Sequence, residues 1–146
     1  MSMGGGNDRT ALVTGASGGI GAATARRLAA DGFIVVVHYG GRAAPARALV
    51  GEIEAAGGRA VAHQADIADP GAVAAMFDAA QAAFGGVDVL VNNAGVMGLA
   101  SVAETDDALF DRMIAVNLKG SFNAMREAAR RMGEGGRIVN VSSSVV

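Results

Sequence analysis

Five short runs rich in β-branched residues alternate along this chain with longer, Ala-rich stretches of helical periodicity. That alternation constrains the fold more than any other feature. The runs are Thr10–Thr14, Phe33–His38, Arg59–Gln64, Val87–Val91 and Arg137–Val141. Each is nearly all apolar at its centre, the pattern of strands buried on both faces of a parallel sheet. The first helix is predicted from Gly19 to Ala30, stopped by Asp31-Gly32, and the second from Ala44 to Ala56, with Pro45 in its first turn. The third follows Asp69-Pro70, a cap and a first-turn proline, and carries an apolar stripe of Val73, Met76, Phe77, Ala80 and Phe84. The fourth is predicted from about Thr105 or Asp106 to Met132, with Phe110, Met113, Ile114, Leu118 and Met125 as its inner face. Strands and helices in this order make βαβ units, so the expected architecture is α/β, three layers, with a doubly wound parallel sheet of five strands.

Composition narrows the function. The 146 residues include 12 Lys+Arg, 14 Asp+Glu and 2 His, a net charge of −2, which leaves no basic stripe for a nucleic-acid partner. Cysteine is absent, which excludes disulfides, thiolate metal sites and a Cys nucleophile. His38 and His63 have no ligand-spaced partner, so no metal site is expected and both are read as structural. The strongest apolar run, Phe33–Val37, is far too short to span a membrane, and a cytoplasmic protein is expected. Residues 1–8 read as a flexible tail and 9–146 as one nucleotide-binding domain.

The turn after the first strand reads Thr14-Gly15-Ala16-Ser17-Gly18-Gly19-Ile20-Gly21 and opens a helix. Glycines there let backbone approach a ligand, and a helix N-terminus offers free N–H groups to a pyrophosphate; the bland reading is a turn that binds nothing. The spacing is T-G-x-x-x-G-x-G, since Thr24 occupies the third place of a G-x-G-x-x-G. This resembles the short-chain dehydrogenase/reductase family and implies a Rossmann fold. Gly15, Gly18 and Gly21 also satisfy the family's extended, epimerase-like spacing. Asn92-Asn93-Ala94-Gly95, after the fourth strand, resembles the common branch instead, most like 3-oxoacyl-carrier-protein reductases.

The resemblance implies a set of site residues. Gly15, Ser17, Gly19, Ile20 and Gly21 would hold the cofactor, Asn93, Ala94 and Gly95 would contact it, and Asn92 would be structural. Asp66, by itself a turn or cap carboxylate, would meet the adenine beside the Ile67 backbone. Tyr39 belongs to the adenosine end. Asn117, otherwise a satisfied core amide, would kink its helix and hold a proton-relay water. In G-R-I-V-N-V-S-S the second serine, Ser143, would be catalytic, with Ser142 and Ser144 as the neighbouring alternatives.

The end of the second strand, His38-Tyr39-Gly40-Gly41-Arg42, lacks the carboxylate that NAD readers carry. Arg42, unless a solvated loop residue, could meet a 2′-phosphate, so NADP is expected over NAD. The implied function is an NAD(P)-dependent oxidoreductase acting on a carbonyl or secondary alcohol, in a homodimer or homotetramer. The family's enzymes also need a Tyr and, four residues on, a Lys; neither follows Ser143 here, so the domain is expected to continue past Val146. The alternative is a non-catalytic dinucleotide-binding module.

Overall fold

The computed structural model describes residues 8–143; the assigned tail lies outside it except for Asp8, whose carboxylate pairs with Arg59 at 2.9 Å, and Ser144 lies outside it too. The five strands are β1 (Thr10–Val13), β2 (Ile34–Tyr39), β3 (Arg59–Gln64), β4 (Val89–Asn92) and β5 (Arg137–Asn140). All are parallel, in the order β3-β2-β1-β4-β5. The order reverses between β1 and β4, and a doubly wound sheet opens a crevice at such a switch point, beyond the carboxyl ends of its strands.

Alternation along the strands builds two cores. Ala11, Val13, Val35, Val37, Val89 and Val91 face helices α1 (Gly19–Ala30) and α2 (Ala43–Ala55). Leu12, Val36 and Leu90 face the other side, under α3 (Pro70–Phe84) and α5 (Ser121–Arg131). Ala22, Ala25 and Ala29 let α1 lie close on the sheet. Helix α3 begins as expected, with Asp69 Oδ1 accepting from Gly71 N at 2.8 Å. Its stripe buries Val73, Met76, Phe77 and Ala80, with Phe84 packed at the rim. Burying a side chain the size of Phe77 is worth about 1.5–3 kcal/mol.

Three expectations need correction. The central strands are buried throughout, but β3 is only partly covered and β5 is exposed along its length. Both are edge strands, and a purely apolar centre does not distinguish an edge from the middle of a parallel sheet. The predicted fourth helix is not one α-helix: α4 (Asp107–Met113) passes into a π-helical segment, Ile114–Gly120, and then into α5. The expected inner stripe therefore holds only at Met125, which packs against the core, and at half-buried Met113. Phe110, Ile114 and Leu118 are exposed, while Val116, Gly120, Asn123, Ala124, Glu127 and Ala128 are buried. Wider π turns break the 3.6-residue phase on which the stripe was drawn. The inner positions also need small side chains: a Cβ on Gly120 would lie 2.6 Å from Ile67 Cγ2.

Candidate functional site

At the carboxyl end of β1 the chain is tied into a knot of hydrogen bonds. Thr14 is buried, and its Oγ1 accepts from Asn93 N and Ala94 N, both at 2.9 Å. The Asn93 amide donates to Thr14 O and Gly15 O, both at 3.1 Å. The glycine turn and the loop after β4 therefore hold each other, as adjacency of β1 and β4 requires. Gly15 has φ +62°, which a side chain strains, and a Cβ there would also lie 2.8 Å from Ala94 Cα. Gly21 is held by packing: its face meets Gly15 O, Asn93 Nδ2 and Ala16 Cα. By contrast, a Cβ on Gly18 or Gly19 would meet nothing within 4 Å, so the backbone at the start of α1 is open to a ligand. Ser17 is half-buried on this turn, and Ile20 is exposed on the first turn of α1.

Beside the turn lies a pocket of about 370 Å³. Gly15, His38 and Ala65 line it, with Gly40 and Gly41 after β2, Asp66 and Ile67 after β3, Ala94, Gly95 and Val96 after β4, and Arg112 and Val116 from the α4–π region. The structure thus brings Gly15, Asp66, Ile67, Ala94 and Gly95 of the predicted set to one pocket. Asp66 does serve its turn, since its Oδ1 accepts from Ala68 N at 3.0 Å, yet it also faces the pocket.

Other predicted residues stand elsewhere. Tyr39 is buried in the core under α1 and α2 rather than on the pocket wall. Arg42 is exposed at the start of α2, just beyond the Gly40–Gly41 rim. Asn93 is engaged with the glycine turn through both amide hydrogens, leaving its Oδ1. Asn92 links the sheet's far side, donating to Asn140 Oδ1 at 2.9 Å, while its own Oδ1 is buried without a partner. Ser142 and Ser143 follow β5, exposed at the same end of the sheet as the pocket.

Asn117 sits in the middle of the π segment but is not the inward core amide that its spacing suggested. It is exposed and clasps one residue: Val96 N donates to its Oδ1 and its Nδ2 donates to Val96 O, both at 2.8 Å. The clasp pins the pocket's β4 rim. Its own carbonyl accepts from Ser121 Oγ at 3.0 Å.

Sequence reasoning missed Thr14 as the organiser of the turn, His38 as its floor, and Arg112 with Val116 on the pocket wall. Thr14 heads the T-G motif, and Arg112 lies four residues before Val116 on one helical face, so both had a local signal. His38 had none, because its contacts depend on the register of β1, β2 and β3. Among the described residues, no cluster of three His, Asp or Glu side chains forms a metal-ligand set, and no helix is long and apolar enough to cross a membrane.

Comparison with known proteins agrees with this geometry. A sequence model of the short chain dehydrogenase family matches residues 9–146. An uncharacterized oxidoreductase of Methylorubrum extorquens is 46% identical over 137 residues, covering 94% of this chain and 55% of its own. A short chain dehydrogenase from Burkholderia cenocepacia, solved in complex with NADP, is 49% identical with a TM-score of 0.89, covering 93% of this chain and 56% of its own. A blue fluorescent protein from a metagenomic library, solved with NADPH, is 44% identical with a TM-score of 0.86, covering 92% and 56%. The chain thus spans about half the length of these relatives. With the family match running from the start of β1 through the whole sheet, the chain belongs to the short-chain dehydrogenase family.

Proposed function

We propose that this chain binds NADP, and NAD less tightly, as the cofactor half of an oxidoreductase acting on a carbonyl or secondary alcohol. The observation that carries the reading is the open backbone of Gly18 and Gly19 at the N-terminus of α1, beside a pocket that ends at Asp66. The donor set fits an adenine dinucleotide. Unpaired N–H groups and the positive end of the α1 dipole suit its pyrophosphate. Ile67 and Val116 offer apolar contact to the adenine, and Asp66 an acceptor for its amino group. Ala94 and Gly95 let it lie on the backbone of the β4 rim. The NADP and NADPH bound by the two solved relatives support the same choice.

The cofactor, when bound, supplies hydride chemistry between nicotinamide and substrate. The chain's residues would hold and orient. Ser143 would donate to the substrate oxygen, where negative charge develops. Asn117, its side chain occupied by Val96, would hold a water on the second lone pair of its backbone carbonyl, beside the Ser121 hydroxyl that already donates there. A second reading, a binding module without turnover, is favoured by one observation: the sole tyrosine, Tyr39, is buried away from the pocket, so these residues contain no tyrosine placed to protonate an alkoxide.

Calorimetry with NADPH and NADH tests the binding. Arg42→Asp should weaken NADPH by about tenfold, the scale of one charge-assisted bond, and leave NADH within about twofold. Equal effects on both would remove Arg42 from the site, and no heat with either cofactor would remove the reading itself.

The exposed row Phe110, Ile114, Leu118 and Phe122, spaced by four, supports assembly with a second copy of the chain. Leu118→Glu should shift the protein to monomer in sedimentation experiments; unchanged mass would place the interface elsewhere.

A further inference from the structure

One buried titratable group has no role in that reading. His38, 2% exposed at the carboxyl end of β2, lines the floor of the pocket. Gly15 N donates to its Nδ1 at 3.0 Å, and its Nε2 lies 2.9 Å from Ala65 O. A carbonyl only accepts and an amide N–H only donates. Nε2 therefore carries the proton, Nδ1 presents a lone pair, and the ring is neutral. The same residue's carbonyl accepts from Ala16 N at 2.9 Å. His38 thus holds two successive N–H groups of the glycine turn and ties them across β2 to the segment that carries Asp66.

We propose that His38 is the positioning residue of the glycine turn, and that only its neutral ring holds the turn in the shape that accepts an adenine dinucleotide, so that cofactor affinity falls in acid. The inference rests on the cofactor reading above. A proton on Nδ1 would face the Gly15 N–H, donor against donor, and would place a cation where water scarcely reaches. The titratable and charged groups around the ring are His63, its register partner on β3, Asp66 past the end of β3, and Arg112 on the pocket wall. Burial pushes the ring's pKa below its ordinary 6.5; the contact with Ala65 O opposes this, His63 adds to it and Asp66 opposes it. Because folding lowers the ring's pKa, the ring is still neutral at about pH 6.5; the turn and the affinity it supports are complete above that pH and are lost as the pH falls through the lowered value.

The test is calorimetric binding of NADPH, with NADH in parallel because the 2′-phosphate of NADPH itself titrates near pH 6. Wild type, His38→Asn and His38→Leu are compared from pH 7.5 to pH 5. The Asn oxygen can stand where Nδ1 stands, accepts from Gly15 N, and does not titrate. Wild type should hold its affinity for NADH down to about pH 6.5 and lose it toward the acid end of the range, approaching about tenfold, the scale of one broken buried hydrogen bond, as the ring protonates. His38→Asn should bind within about threefold of wild type at pH 7.5 and stay flat, and His38→Leu should bind about tenfold more weakly at every pH. Equal acid slopes in wild type and His38→Asn, or full affinity in His38→Leu, overturn the proposal while leaving the cofactor reading intact. A wild-type chain that binds neither cofactor at any pH overturns both. If His38→Leu fails to fold, the slopes of the other two still decide.

Discussion

Gly21→Ala is expected to weaken cofactor binding severely, and the reason lies in what surrounds the missing side chain. A Cβ at this position would lie 2.5 Å from Asn93 Nδ2 and 2.9 Å from Ala16 Cα, and closer still to Gly15 O. Two of these are backbone atoms of the glycine turn, and the third is an amide already bonded to Thr14 O and Gly15 O. None can rotate away. Relief requires α1 to move off the turn or Asn93 to release it, and either change disturbs the N–H groups at the helix start. Forcing a methyl into packed structure costs about 1–3 kcal/mol, and more when backbone must shift. NADPH affinity should fall by about a hundredfold or more, the equivalent of roughly 3 kcal/mol. Gly51→Ala, on the exposed face of α2, is the control, because a Cβ there meets nothing within 4 Å and the position lies away from the pocket. If Gly21→Ala binds as tightly as that control, the turn is looser than the geometry requires.

Thr14→Val should be the most damaging volume-conserving change in the site. The hydroxyl accepts from Asn93 N and Ala94 N at 2.9 Å and lies 3.4 Å from Val91 O. Valine fills the same space and leaves two backbone N–H groups without an acceptor. An unsatisfied buried donor costs about 1–3 kcal/mol. Because the β4 loop is only partly buried, about 2–4 kcal/mol in total is expected. For a chain of this length that is a drop in Tm of roughly 8–15 °C. Cofactor affinity should fall as well, since the loop carrying Ala94 and Gly95 loses its anchor. Thr14→Ser keeps the acceptor and should stay within about 1 kcal/mol of wild type. Equal stability of Thr14→Val and Thr14→Ser would show that the hydroxyl does not hold the loop.

Much of this was legible in the chain. Helix α1 and the start of α3 fall at the predicted residues because their signals are local: a glycine turn with free N–H groups, and Asp69-Pro70 capping the next helix. The parallel sheet followed from the strand–helix alternation. The path from α4 to α5 was legible only in part: the resemblance implied a kink at Asn117, where the π segment is centred, but periodicity gave no sign of the phase shift that segment brings. Tyr39 likewise ends a strand beside the pocket yet turns into the core, a choice set by strand alternation with Val35 and Val37.

The elements, their order and the turn chemistry at Gly15–Gly21 are written in the chain, since each depends on neighbours a few positions away. Folding in three dimensions settles the rest: which strands are edges, which face of the α4–π–α5 path is buried, and that His38, Thr14 and Asn117 clasp partners 21 to 80 residues distant. Those contacts exist because parallel pairing brings the carboxyl ends of four strands together, and spacing along one chain carries no record of the register between strands.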